Sequence, residues 1–150
     1  MHEVIQSSLW IGNAVEARDL RRLLGLGVTA IVDLAIEELP ASVVRELVYC
    51  RIPLIDGASN PPERLRLAVE TVASLIRSGT PTLVFCGAGM SRSPAITAAA
   101  LAVVECADPN TVLQRIVTGF PHDVSPAFWQ EVTACVNDST VRRSRRLDET

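Results

Sequence analysis

Apolar and polar positions along the chain fall into blocks whose period switches between two and about 3.6, the periods of strand and helix. Val4 to Ile11 reads as a first strand or a pair of short ones. Asn13, with Glu16 three residues later, has the form of a capping box, and Leu20, Leu23 and Leu24 give one helix an apolar stripe ending at Gly25 or Gly27. Val28 to Leu34 is β-rich and nearly continuously apolar, as in a strand covered on both faces. Residues 36–47 form a polar connection with room for a helical turn around Ala41 to Leu47, and Val48 to Ile55 is another strand.

The clearest helix follows. Asn60 is placed to cap it, Pro61 to occupy its first turn and Glu63 to complete a box, while Leu65, Val69, Val72, Leu75 and Ile76 share one face up to Ser78-Gly79. Thr82 to Phe85 is a strand, and the helix from Ser91 to about Cys106 is apolar on nearly every face, which predicts a central buried position. Asp108-Pro109 opens a helix through Gly119, and Ser125-Pro126 opens another through about Asn137. Residues 139–150 show no periodicity and are expected to form a flexible tail behind a single domain of residues 1–138. Strands alternating with helices predict an α/β fold: a central, mostly parallel sheet of four to five strands flanked by about six helices.

Composition narrows the setting. A chain of 150 residues forms one domain and buries roughly 68–70% of the surface its unfolded form exposes. All 14 basic residues are Arg and the net charge is −3, so no global field attracts nucleic acid or an anionic membrane. Cys50, Cys86, Cys106 and Cys135 are widely spaced and form no Cys-x-x-Cys pair, which predicts reduced thiols and an intracellular, cytoplasmic setting. Cys50, Cys106 and Cys135 read as core packing, as do Trp10, Phe128 and Trp129. The N-terminus lacks the pattern of a signal peptide, and the longest apolar run, Ala98 to Val104, falls short of the roughly 20 residues that cross a bilayer. His2 and His122 are too few and too far apart for a metal site, so neither metal nor cofactor is expected. His122-Asp123 reads as a solvated loop or one bordering the site, the former favoured, and the Arg-rich run Arg142 to Arg146 as a solvated terminus or a contact for an acidic partner.

The chemistry concentrates in Val84-Phe85-Cys86-Gly87-Ala88-Gly89-Met90-Ser91-Arg92-Ser93-Pro94. A strand, a glycine-bearing turn and a helix N-terminus make a concavity of backbone N–H groups in the positive field of the helix dipole, which suits phosphate. The same surroundings favour the thiolate of Cys86 and make it a nucleophile. Five residues separate Cys86 from Arg92, a spacing at which a loop curls and the planar guanidinium fork meets phosphate oxygens lying over the sulfur. Ser93 places a hydroxyl beside the sulfur, where it can stabilise the departing thiolate, and Ser91 is placed to cap the helix. The plainer readings are a buried apolar Cys86, a solvated Arg92 and a Ser93 that merely starts a helix.

Cys86-(five residues)-Arg92-Ser93, with Ala88-Gly89 inside it, resembles the signature of cysteine-dependent protein phosphatases in the form carried by small dual-specificity phosphatases. Leu9 to Asn13, Ile52 to Asp56 and Ser125 to Gln130 resemble that family's segments too, so the likeness covers about residues 4–138. It implies a dual-specificity-phosphatase-like fold and hydrolysis of phosphomonoesters through a phosphocysteine, with phosphate held by backbone N–H groups from Gly87, Ala88, Gly89, Met90 and Ser91 to Arg92. The chain departs from the family at Phe85, where a His that tunes the thiol usually stands.

A general acid is needed to protonate the leaving oxygen. Asp56 ends a strand and opens the loop Asp56-Gly57-Ala58-Ser59-Asn60, whose small residues permit motion, although Asp-Gly also makes plain turns. The family's acid follows a similar Ile-Pro segment. No base stands between Cys86 and Arg92, which argues against polyphosphorylated lipid or RNA ends and for a phosphorylated protein or small phosphomonoester. A short chain without added modules implies a shallow cleft, open to phosphotyrosine, phosphoserine and phosphothreonine, and a monomer. The competing functions are a phosphate-binding module that has lost catalysis and a persulfide-carrying sulfurtransferase similar to rhodaneses.

Overall fold

The computed structural model describes the backbone of residues 1–148 and the side chains of residues 1–137. Its elements, in chain order, are β1 (His2–Ile5), β2 (Leu9–Asn13), α1 (Ala14–Ala17), α2 (Leu20–Gly25), β3 (Ala30–Ala35), β4 (Val48–Leu54), α3 (Pro62–Arg77), β5 (Thr82–Cys86), α4 (Arg92–Glu105), α5 (Pro109–Val117) and α6 (Pro126–Asp148). The five strands make one sheet in the order β1-β2-β5-β3-β4. β2, β5, β3 and β4 run parallel, and β1 pairs antiparallel with β2 at the edge.

The period-two alternation of the strands sorts their side chains onto two faces. Leu9, Ile11, Val32, Leu34, Val84 and Cys86 face the larger core, shared with α3, α4, α5 and α6. Trp10, Ile31, Ala35, Leu83 and Phe85 face a smaller core closed by Ala14, Ala17, Leu23, Val28 and Leu47. Neighbours in sequence, Phe85 and Cys86 thus lie on opposite faces. β5 is the middle strand and is buried throughout. α4 leaves from its carboxyl end, and every residue from Arg92 to Ala102 is buried, as a surface apolar on nearly every face requires.

Local signals account for most helix starts. The Asn13 carboxamide accepts from Glu16 N (2.9 Å) while the Glu16 carboxylate accepts from Asn13 N (3.0 Å), the reciprocal box that opens α1. Asp108 accepts from Thr111 N (2.8 Å) and opens α5.

Several expectations need correction. The single helix expected after Asn13 is two, because the Asp19 side chain accepts from Arg22 N (3.1 Å) and starts α2 afresh. Residues 36–47 hold no helix, only a single turn closed by Leu47 N donating to Val44 O (3.2 Å), and the Ala41 amide donates to the Tyr49 hydroxyl (3.0 Å). Asn60 does not cap α3, which starts at Pro62 without a side-chain cap. α6 does not stop near Asn137 but runs to Asp148, in a stretch rich in helix-forming Arg and free of Gly and Pro after Pro126. The side chains of the run Arg142 to Arg146 lie outside the described residues. Cys106 is not in the core: it is exposed, in left-handed backbone (φ 52°) at the end of α4. Trp129 is half-buried, its indole N–H donating to Asn110 Oδ1 (2.8 Å).

Candidate active site

Ligand sites in parallel sheets collect at the carboxyl ends of strands, and the ends of β5, β3 and β4 here supply the residues that meet. Cys86 closes β5 and is 1% exposed. Its Sγ lies 3.3 Å from the Ser93 hydroxyl in the first turn of α4. The loop between them is drawn outward through its carbonyls: Gly87 O accepts from Ala14 N (3.1 Å), and Met90 O accepts from Asp123 N (2.8 Å). The His122-Asp123 segment therefore borders the site. Gly89 is the position where glycine is compulsory, since φ is +75° and a Cβ would stand 2.7 Å from the Gly12 carbonyl.

Arg92 starts α4 with only 4% of its surface exposed. Its Nη1 donates to Glu37 Oε2 (2.6 Å) and to Leu54 O (2.9 Å), and its Nη2 donates to Glu37 Oε1. Nε is buried and, among the described residues, has no partner. A guanidinium has five N–H donors. Nη1 spends two and Nη2 one, so Nε–H and the second Nη2–H remain, side by side on one edge. That edge has the spacing of a bidentate phosphate contact. Burial pushes the Arg92 pKa down, but the hydrogen bond to Glu37 and the neighbouring charges of Cys86, Glu37 and Asp56 outweigh it and raise the value, so the cation persists. Glu37 is held below the ordinary glutamate range, chiefly by its hydrogen bond from Arg92 and against the opposing effect of burial.

Asp56 follows β4. Its Oδ1 accepts from the Ser91 hydroxyl (2.6 Å), and Ser91 Oγ in turn accepts from Ser125 N (3.1 Å). Ser91 occupies the cap position of α4 but makes no side-chain cap bond; its hydroxyl ties the Cys86–Arg92 loop to the Asp56 loop instead. The small residues after Asp56 suggest a loose loop, yet the buried Asn60 side chain accepts from Ile55 N (2.8 Å) and donates to Ile55 O (3.0 Å) and Gly57 O (3.1 Å). The Glu131 carboxylate on α6 accepts from Ser59 N (2.8 Å) and Asn60 N (3.3 Å). The loop is laced from both sides.

The fold thus brings Cys86, Gly87, Ala88, Gly89, Met90, Ser91, Arg92, Ser93 and Asp56 into one site. Sequence reasoning missed Glu37, the structural task of Asn60, and Glu131. Glu37 was accessible in principle: it stands just beyond β3, the strand beside β5, at the carboxyl edge where sites form. A cavity of about 660 Å³ between α3, the α4–α5 junction and α6 shares no lining residue with this site. Among the described residues no helix is long and apolar enough to cross a membrane.

Comparison with known proteins agrees with this geometry. The family model described as "Swiss Army Knife protein, DSP-PTPase phosphatase domain" matches residues 4–145. Human dual specificity protein phosphatase 15 is 29% identical over 134 residues, covering 88% of this chain and 45% of that protein. Mouse dual specificity protein phosphatase 14 is 36% identical over 101 residues, covering 65% and 49% respectively. The chain spans about half the length of these curated relatives. The crystal structure of human DUSP28 superposes with a TM-score of 0.80 at 22% identity, covering 95% of this chain and 99% of that one, which establishes a common fold. The chain belongs to the DSP-PTPase family, as a small atypical dual-specificity phosphatase domain.

Proposed function

We propose that this domain hydrolyses phosphomonoesters on proteins, phosphotyrosine as well as phosphoserine and phosphothreonine, through a phosphocysteine. The observation that carries the reading is the pairing of Cys86 Sγ with the Ser93 hydroxyl at 3.3 Å, on a loop whose far end holds the buried, unpartnered Nε–H of Arg92.

The Cys86 thiolate attacks phosphorus and the bond from phosphorus to the leaving oxygen breaks, with Asp56 giving that oxygen its proton. The amides from Gly87 to Arg92 and the free guanidinium edge hold the three non-bridging oxygens. Asp56, now ionised, takes a proton from water as the water attacks phosphorus. The sulfur–phosphorus bond breaks, the Ser93 hydroxyl stabilises the returning thiolate, and inorganic phosphate leaves. Gly87-Ala88-Gly89-Met90-Ser91 carries no positive charge, which favours a singly phosphorylated substrate. The wide spacing of the four cysteines, with no Cys-x-x-Cys pair, supports a reducing, cytoplasmic setting.

The test is hydrolysis of para-nitrophenyl phosphate and of phosphopeptides across pH, without added metal. Cys86→Ser abolishes turnover, Arg92→Lys lowers kcat/KM by about 1,000-fold, and Asp56→Asn lowers kcat by about 100-fold. A parent that binds orthovanadate but turns over no phosphomonoester overturns the proposal and leaves a phosphate-binding module.

A further inference from the structure

Asp33 is 0% exposed in the middle of β3, an expensive place for a carboxylate unless every lone pair is used. Its Oδ1 accepts from Ala35 N (2.9 Å), and its Oδ2 accepts from the Tyr49 hydroxyl and from Arg51 Nη1 (2.6 Å). Both partners lie on β4, and Arg51 is the register partner of Asp33 across the strands. The regular β3–β4 pairing shifts between Asp33 and Ala35, where the Asp33 side chain takes the Ala35 amide.

Arg51 then reaches past the strand end. Its Nη2 donates to Ala35 O (3.2 Å) and Glu38 O (2.8 Å), the residues on either side of Ile36-Glu37. The Tyr49 hydroxyl accepts from Ala41 N (3.0 Å) and anchors the next stretch of the same connection. These bonds set the backbone that presents Glu37, and Glu37 fixes the two terminal nitrogens of Arg92.

We propose that Asp33, Tyr49 and Arg51 are positioning residues for the phosphate-binding arginine, acting through Glu37. Glu37 is a clasp here and not a plug. Its carboxylate lies where a side chain at Gly87 would be, and in an anion-binding concavity the N–H groups converge while the side-chain positions diverge. It also holds the end of the guanidinium opposite Nε, leaving the Nε edge for phosphate. Without the clasp, Arg92 keeps its charge but loses its orientation, and misplacement of this order costs up to about 100-fold in rate. This inference rests on the phosphate-binding reading of the site.

The test is a double-mutant cycle of Glu37→Gln and Arg51→Met in the full chain, read by kcat/KM for para-nitrophenyl phosphate, by orthovanadate affinity in calorimetry and by melting temperature. Glu37→Gln weakens vanadate binding and kcat/KM by about 30-fold, Arg51→Met by about 10-fold, and the double variant matches Glu37→Gln within about twofold. Tyr49→Phe removes one hydroxyl and lowers kcat/KM by about threefold, which keeps the inference testable if Arg51→Met does not fold. Additive losses, or an Arg51→Met that melts lower yet binds vanadate and turns over like the parent, overturn the relay. Tighter vanadate binding in Glu37→Gln overturns the clasp in favour of a plug. A parent that binds vanadate in an Arg51-dependent way without turnover sustains the relay while the phosphatase reading falls, and a parent that binds no vanadate overturns both.

Discussion

Two loops meet at the site, and they are built in opposite ways. The Cys86–Arg92 loop is shaped at its core by near neighbours: a buried strand aims the sulfur, Gly89 permits the left-handed turn, and Ser93 meets the sulfur seven residues on, while Ala14 N and Asp123 N tie its carbonyls and Glu37 holds Arg92. The Asp56 loop is held by side-chain hydrogen bonds, from afar by Ser91 on the Cys86–Arg92 loop and Glu131 on α6 and from within by the inward-turned Asn60. Cys86 is held mainly by local geometry and Asp56 by hydrogen bonds that reach across the fold. Damage to the first should therefore destroy the site, and damage to the second should uncouple one chemical step.

The largest effect expected from breaking this contrast is at Gly89. Gly89→Ala puts a Cβ against the Gly12 carbonyl in backbone that already disfavours one. It should destabilise the domain by about 2–4 kcal/mol in urea unfolding and lower kcat/KM by 100-fold or more, on the order expected for a misplaced cradle. An alanine variant with parent activity would show that the loop is not locally constrained.

The Asp56 side of the contrast is sharpened at Asn60. Asn60→Ala leaves the Ile55 amide and the Ile55 and Gly57 carbonyls without their partner, at a cost of about 1–3 kcal/mol. Vanadate affinity should stay near the parent's, because the phosphate cradle is untouched. kcat should fall by about 10-fold with para-nitrophenyl phosphate and further with phenyl phosphate, whose poorer leaving group depends more on the acid. Equal losses with both substrates would remove Asp56 from the acid role.

The smallest effect concerns pH. The Glu37 pKa is lowered from its usual 4.5, so the folded state binds this proton less readily than the unfolded one. Its contribution is present above the ordinary glutamate range and is lost as pH falls through the lowered value. The difference in melting temperature between the parent and Glu37→Gln should thus hold from pH 8 to about 5 and shrink only in more acidic solution. Glu37 is about half exposed (47% of its side chain), so the difference should be a few degrees at most. A gap that narrows between pH 8 and 6 would point to another group.

The legibility of the sequence follows the same division. Order of strands and helices, the burial of α4, the boxes at Asn13 and Asp108, and the cluster of Cys86, Arg92 and Ser93 were all readable, because each depends on residues a few positions apart. Asp56 was readable from its place at a strand end and from the family resemblance. Glu37 and the use of Ser91 as a tie were not, since their partners lie 55 and 35 residues away and only the folded sheet selects them, and the inward turn of Asn60 was not, although its partners are near in sequence. Asn60 misled for a physical reason: its side chain can cap a helix or close a loop, and the buried carbonyls of Ile55 and Gly57 offered the better partners. Asp19 likewise looked like one polar residue within a helix until it started a new one.

The most direct test of the central claim is to trap the intermediate. The parent and Asp56→Asn would be mixed with para-nitrophenyl phosphate, quenched in acid within one turnover, digested and examined by mass spectrometry. A phosphocysteine intermediate gives one phosphoryl group on the peptide containing Cys86, none in Cys86→Ser, and the modification at Cys86 itself on fragmentation. Turnover with no phosphoryl group on Cys86, or with the group on another residue, would contradict it.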